Sequence, residues 1–210
     1  MPSGIKLIVG LGNPGPEHIA TRHNAGFWFV DQLSEEYSLR FRTESKFQAE
    51  VCRWQTPEFD CRIAKPMTYM NRSGITVAAL VNFFKIPVGE MLVVHDEIDL
   101  DTGIARLKFS GGHGGNNGLR DIIENLGTRD FYRLRIGVGH PGSSNKVTPH
   151  VLGRPSAEDE KLILQAIDDG IAVLPELLHG EYQKAMTRLH TQQRLATSNK
   201  QQGDNDDDEK

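Results

Sequence analysis

The residues best suited to polar chemistry lie in a tight segment near the amino end and in two later loops. The first is Gly10 to Gly26, with four glycines, two prolines and a closing Thr-Arg-His-Asn cluster. Glycine lets backbone approach backbone or ligand, and proline fixes the turn. His23, in that cluster, is the candidate base: an unperturbed histidine titrates near neutrality and accepts a proton from water at working pH. Its candidate partner is Asp96, which follows the apolar run Met91 to Val94. A carboxylate on one ring nitrogen fixes the tautomer and stabilises the imidazolium, leaving the other nitrogen to activate water. Composition offers plainer alternatives. A lone histidine after arginine is commonly a surface or capping residue, and His95-Asp-Glu-Ile-Asp99 has the composition of a solvated acidic loop.

Asn13, Asn71, Asn116 and Asn117 stand in or near loops bearing glycine or proline. Turn formation and capping explain such residues by default. An amide also donates and accepts, which suits holding a carbonyl, a hydroxyl or a water in place. Arg106 and Lys108 are two apart on one apparent strand, and Arg133 and Arg135 on another, so each pair shares a face. Two such faces beside a site would serve phosphates; solvated strand surface is the alternative.

Two further patterns carry less weight. Gly10-Leu-Gly-Asn-Pro-Gly15 matches G-x-G-x-x-G, the pattern of a nicotinamide dinucleotide site in an oxidoreductase. Pro14 removes an N–H that phosphate would use, and no second strand ends in an acid about 20 residues on. His23, His95, Asp96, Glu97, Asp99 and His113 could supply oxygen and nitrogen to a metal, but no pair has HExxH spacing.

The elements that must position these groups alternate. Ile5 to Val9 reads as a strand, and Pro16 as the start of a helix interrupted at Asn24 to Gly26 and resumed over Phe27 to Leu33. Gln48 to Trp54 and Cys61 to Ala64 read as a hairpin around Thr56-Pro57. Asn71 or Ser73 caps a helix carrying Val77, Leu80, Val81 and Phe84. Strands follow at Met91 to Val94, Ile104 to Phe109 and Tyr132 to Val138. Gly111 to Gly118 opens onto a helix, Leu119 to Leu126. After a polar stretch to Pro155, Ser156 and Asp159 resemble a capping box, starting a long helix kinked at Pro175. Glu181 to about Gln193 is the last helix. The expected fold is α/β: a single-domain three-layer sandwich with a twisted, mixed, largely parallel sheet and helices on both faces. In such sheets ligands bind beyond the carboxyl ends of the strands, where Asn13, Asp96 and the Gly139 to Gly142 turn fall.

A length of 210 residues favours one domain. The catalytic domain is expected over 1–193, with 194–210 a disordered acidic tail. From Ala196 onward five acids face two lysines, so the net charge of −4 leaves the body near neutral at −1. A neutral body argues against indiscriminate nucleic-acid binding and permits a local basic patch. No apolar run approaches the roughly 20 residues of a membrane helix, and the amino end does not resemble a signal peptide. Cys52 and Cys61 are expected to be reduced thiols of a cytoplasmic protein.

Taken in order, GLGNPG, TRHNAG, KPMTYMNRSG, VVHDEIDL, GGHGGNNGLRDII, FYRLRIGVGHPG and VLGRP resemble the bacterial-type peptidyl-tRNA hydrolase family, over nearly the whole chain to about His190. The resemblance implies a monomeric, cofactor-free, metal-free esterase. It would cleave the bond between a peptide's carboxyl end and the 3′ ribose of tRNA, recycling tRNA after stalled translation. His23 then matches the proton acceptor and Asp96 its stabiliser. Asn13 matches the position that tells N-blocked from free aminoacyl-tRNA. Asn71 and Asn117 match asparagines holding substrate and water, and Tyr69 and Met70 the substrate-lining pair. Lys108 and Arg135 match positions associated with tRNA phosphates, and Arg106 and Arg133 join them by strand parity. His18 stands where the family usually has tyrosine, Asn116 where histidine is usual, and Asp101-Thr102 where Pro-Pro is common. A non-catalytic RNA-binding relative of the same fold is the main rival reading. The Gly139 to Gly153 stretch is the expected mobile cover.

Overall fold

Short runs of branched and apolar residues, bounded by glycine and proline, become the strands of one mixed sheet. The structure is a computed structural model that describes residues 3–191. Its strands are β1 (Leu7–Gly10), β2 (Arg42–Glu44), β3 (Ala49–Gln55), β4 (Asp60–Pro66), β5 (Met91–Glu97), β6 (Ala105–Phe109) and β7 (Tyr132–Gly137). They lie in the order β2-β3-β4-β1-β5-β7-β6. The four central strands, β4, β1, β5 and β7, are parallel, and antiparallel strands flank them on both sides. Parallel strands need crossover helices, which is why the sheet is covered on both faces.

Alternate residues of each strand serve opposite layers. Ile8, Leu92, Val94, Leu107, Leu134 and Ile136 face α1 (Ala25–Glu36), α5 (Ala157–Ala172), α6 (Leu174–Leu178) and α7 (182–191). Leu7, Val9, Met91 and Val93 face α2 (Ser73–Phe84) and α3 (Asn117–Leu126). The three-layer sandwich is therefore the observed architecture. Among the described residues, no helix is long and apolar enough to cross a membrane. The expected boundary at 193, the acidic tail and the end of the last helix lie outside the described residues.

Several local expectations are corrected. No α-helix begins at Pro16: residues 16–20 form turns, Arg22–Asn24 is one 3₁₀ turn, and α1 starts at Ala25. β2 is a polar three-residue edge strand with no apolar signature. β5 does not end at Val94. It runs through His95, Asp96 and Glu97, all buried, so this acidic run is sheet rather than loop. Neither Asn71 nor Ser73 caps α2. The N–H of Gly74 in its first turn bonds instead to the Asp121 carboxylate of α3, at 2.6 Å. The polar stretch before Pro155 contains α4 (Val147–Val151). At Pro175 the chain forms a separate helix, α6, joined to α5 through Val173. Ser156 does cap α5, its hydroxyl accepting from the Asp159 N–H at 3.1 Å. Cys52 pairs across the hairpin with Ile63, and Cys61 with Trp54, so the thiols are not opposite each other. Burial pushes the Cys52 thiol up to about 11, and the Cys61 thiol is raised as well.

The glycines of the first turn bring helix and strand together. A Cβ on Gly26 would stand 2.4 Å from both the Leu11 N and the Val94 O, and one on Gly10 2.2 Å from the Gly26 O. α1 thus starts directly against the ends of β1 and β5. Gly26→Ala should destabilise the fold by about 3 kcal/mol, the upper range for overpacking, because backbone cannot yield as a side chain does. Urea unfolding measures this, and a midpoint equal to the parent's would show that the two strand ends can part freely.

Candidate active site

β1, β5 and β7 run parallel, so their carboxyl ends share one edge of the sheet. A cleft of about 480 Å³ opens there. The turn after β1 brings Asn13 and His23 to it, and β5 brings Asp96 and Glu97. The 3₁₀ turn before α2 adds Met70 and Asn71 beside Tyr69, and the approach to α3 adds Asn116 and Asn117. α4 closes one side with Val147, Thr148 and Val151.

His23 and Asp96, 73 positions apart, are in contact. The imidazole Nδ1–H donates to both carboxylate oxygens at 2.9 Å. Both side chains are nearly removed from solvent. Burial alone would lower the His23 pKa, but the charge of Asp96 and its hydrogen bonds outweigh this and raise it above 6.5. Burial likewise pushes Asp96 up, and the opposing pull of His23 holds it below the ordinary carboxylate range. With Nδ1 engaged, Nε2 is the ring nitrogen left for the cleft, and it has no hydrogen-bond partner among the described residues. The neighbouring His95 donates its Nδ1–H to the Asp96 backbone carbonyl at 2.7 Å, and burial lowers its pKa.

The asparagines divide by burial. Asn13 is buried and fully placed. Its N–H donates to Asn24 Oδ1 at 2.8 Å, its carbonyl accepts from Asn24 Nδ2 at 3.0 Å, and its own Oδ1 accepts from the Met70 N–H at 2.8 Å. Its Nδ2 remains as a donor at the cleft. Asn71 and Asn117 are exposed at the rim, where Asn117 Oδ1 accepts from Arg120 at 3.1 Å. Tyr69 is 61% exposed, Met70 is buried, and His18 meets the Tyr69 ring edge-on at 6.4 Å between centroids.

The cations occupy one face of the β6–β7 ladder, where Arg106 lies opposite Arg135 and Lys108 opposite Arg133. They are not equivalent. Lys108 is exposed, and Arg106 is half-buried with a bond to the Ala105 carbonyl. Arg135 is half-buried and paired with Glu97 at 2.8 Å. Arg133 is only 3% exposed, its guanidinium donating to the Gly111 and Gly112 carbonyls. The expected phosphate contact from Arg133 is corrected: its donors hold the glycine-rich loop from inside. Among the described residues, no three His, Cys, Asp or Glu side chains are grouped to hold a metal ion.

Sequence reasoning missed three contributors. Arg22 is buried and donates to the carbonyls of His150 (3.4 Å), Gly153 (3.5 Å) and Arg154 (3.1 Å) and to Asp159 (3.0 Å). Asn24 supports Asn13. Both stand beside His23 in a polar cluster dense enough to have flagged them. The Gly139 to Gly153 stretch is the one expected to cover the site, but the apolar helix α4 within it had no signal in the polar residues around it.

The family model for peptidyl-tRNA hydrolase matches residues 7–198. The chain belongs to that family. It is 55% identical over 185 residues to the peptidyl-tRNA hydrolase of Halorhodospira halophila, covering 88% of this chain and 95% of the relative. A Stenotrophomonas maltophilia relative is 53% identical over 189 residues, covering 90% and 98%. The crystal structure of peptidyl-tRNA hydrolase from Acinetobacter baumannii superposes with a TM-score of 0.87 at 46% identity, covering 90% of this chain and 96% of that one. As a member of this hydrolase family the chain is an enzyme, and the cleft at the sheet edge holds its polar and titratable side chains in one place.

Arg22 ties α4 to the turn bearing His23, so Arg22→Met should loosen that wall. The expected cost is about 2 kcal/mol, from leaving the Arg154 carbonyl and the partly buried Asp159 without this donor, while the His150 and Gly153 carbonyls keep backbone N–H donors. Denaturant unfolding gives that figure, and substrate KM should rise more than kcat falls. Unchanged stability and KM would show that α4 holds its place without the clamp.

Proposed function

We propose that the chain hydrolyses the ester between a peptide's carboxyl end and the 3′ ribose of tRNA, with His23 as general base. The observation that carries this reading is the His23–Asp96 pair at the cleft, with Nδ1 engaged and Nε2 left to act. Water loses a proton to Nε2 as its oxygen attacks the ester carbonyl. The Asp96 carboxylate stabilises the imidazolium so formed. Negative charge develops on the carbonyl oxygen, and the amide donor of Asn13, with those of Asn71 and Asn117 at the rim, is placed to meet it or to hold the substrate. On collapse the ribose oxygen leaves and takes the proton back from Nε2, yielding free tRNA and a peptide carboxylic acid. Tyr69, Met70 and His18 line the approach for the peptide end. Lys108, with Arg106 and Arg135 beside it, offers the charge that tRNA phosphates need.

His23→Ala should lose about 10²–10⁴-fold in turnover on N-acetyl-aminoacyl-tRNA while tRNA still binds. Near-normal turnover would remove His23 from the reaction, and turnover absent from the parent as well would favour the non-catalytic RNA-binding reading. The sign of the pH dependence follows from the raised pKa. Protonated His23 cannot accept a proton, so kcat/KM should fall as pH drops through a value above 6.5. An acid limb lying below 6.5 would contradict the assignment.

For the cations the prediction concerns binding. Lys108→Ala should weaken tRNA affinity and reduce the slope of log K against log salt by about one. Arg133→Ala should instead lower stability and leave that slope nearly unchanged. An unchanged slope in Lys108→Ala would take this lysine out of the interface.

A further inference from the structure

We infer that Asn116 is a positioning residue for the reaction, holding the Asp96 carboxylate in the orientation that His23 needs. The inference rests on the reading of His23 as base and extends it to a residue outside the pair. Asn116 is engaged at both ends of its amide. Its Oδ1 accepts from the Gly118 and Leu119 N–H groups at 3.0 and 3.1 Å, which caps α3. Its Nδ2 donates to Asp96 Oδ1 at 3.1 Å. Only this orientation of the amide works: reversed, its NH₂ would face two N–H groups and its oxygen a carboxylate.

Asp96 Oδ1 therefore takes donors from two directions, the ring of His23 and the amide of Asn116. A carboxylate held only by an imidazole can rotate with it. One also tied to a helix cap cannot rotate without breaking the cap. The loop leading to Asn116 is fixed in turn by Arg133 on the Gly111 and Gly112 carbonyls, and by the Asn116 N–H donating to the His113 carbonyl at 2.9 Å. The path from β7 through the loop to Asp96 is continuous. The titratable neighbours acting on the pair are Asp96 for His23, and His23 and His95 for Asp96.

Two substitutions separate the cap from the positioning role. Serine and aspartate both cap helices about as well as asparagine. Serine is too short to reach Asp96, and aspartate sets a second carboxylate against it. Asn116→Ser should keep the parental melting temperature and KM while kcat falls about tenfold, as for a lost hydrogen bond to a charged group. Asn116→Asp should move the acid limb of kcat upward by about one pH unit, since added negative charge holds the proton on His23. Both are assayed on N-acetyl-aminoacyl-tRNA alongside His23→Ala. If both variants keep the parental kcat and acid limb while His23→Ala is inactive, Asn116 is a helix cap only and the inference is wrong. A fall in kcat that tracks a fall in melting temperature, with no movement of the limb, also overturns it. Full activity in His23→Ala would instead bring down the base assignment beneath it.

Discussion

The Asp96 carboxylate lies almost wholly out of water at the end of a central strand, and a charge in that place is tolerable only while it is paired and hydrogen-bonded. The surrounding elements can be understood as supplying its partners. His23 comes from the turn after β1, Asn116 from the cap of α3, and His95 is turned to the backbone carbonyl of the same residue. The parallel run of β1, β5 and β7 delivers these elements to one edge. The glycine contact between Gly10 and Gly26 lets α1 begin close enough to that edge for the imidazole to reach the carboxylate.

Charge is arranged differently a few ångströms away. On the β6–β7 ladder four cations share a face, yet their roles are graded by burial. Arg133 is spent inside, on the carbonyls that shape the glycine-rich loop. Arg135 is held by Glu97, a residue that also lines the cleft. Lys108 is left in solvent, where it can meet a polyanion. The loop that Arg133 holds from within is the one that presents Asn116 to Asp96, so the basic ladder and the His23–Asp96 pair are joined through it as well as adjacent.

Much of this was legible in the residues alone, and the failures have physical causes. The strands were legible because buried parallel strands are continuous apolar runs. The His23–Asp96 pairing was legible through its ordered motifs, although composition alone favoured a solvated loop for His95 to Glu97. That loop reading failed because burial of charge depends on partners that composition does not display. β2 was missed because an edge strand needs no apolar face. The cap of α2 was misassigned because its donor is met by Asp121, which is distant in sequence. Arg133 was grouped with the phosphate contacts because strand parity gives a side chain's face and not its depth. Asn116 looked like a turn residue, and it is one, but the same amide also reaches Asp96.

The central claim is that Asp96 fixes the tautomer and raises the proton affinity of His23, leaving Nε2 as the base. A ¹⁵N NMR titration of the His23 imidazole in the free enzyme reads both quantities at once. The account predicts a neutral form protonated at Nδ1 and bare at Nε2, with a pKa above 6.5 that drops in Asp96→Asn. A neutral form carrying its proton on Nε2, or a pKa indifferent to the loss of the carboxylate charge, would contradict it.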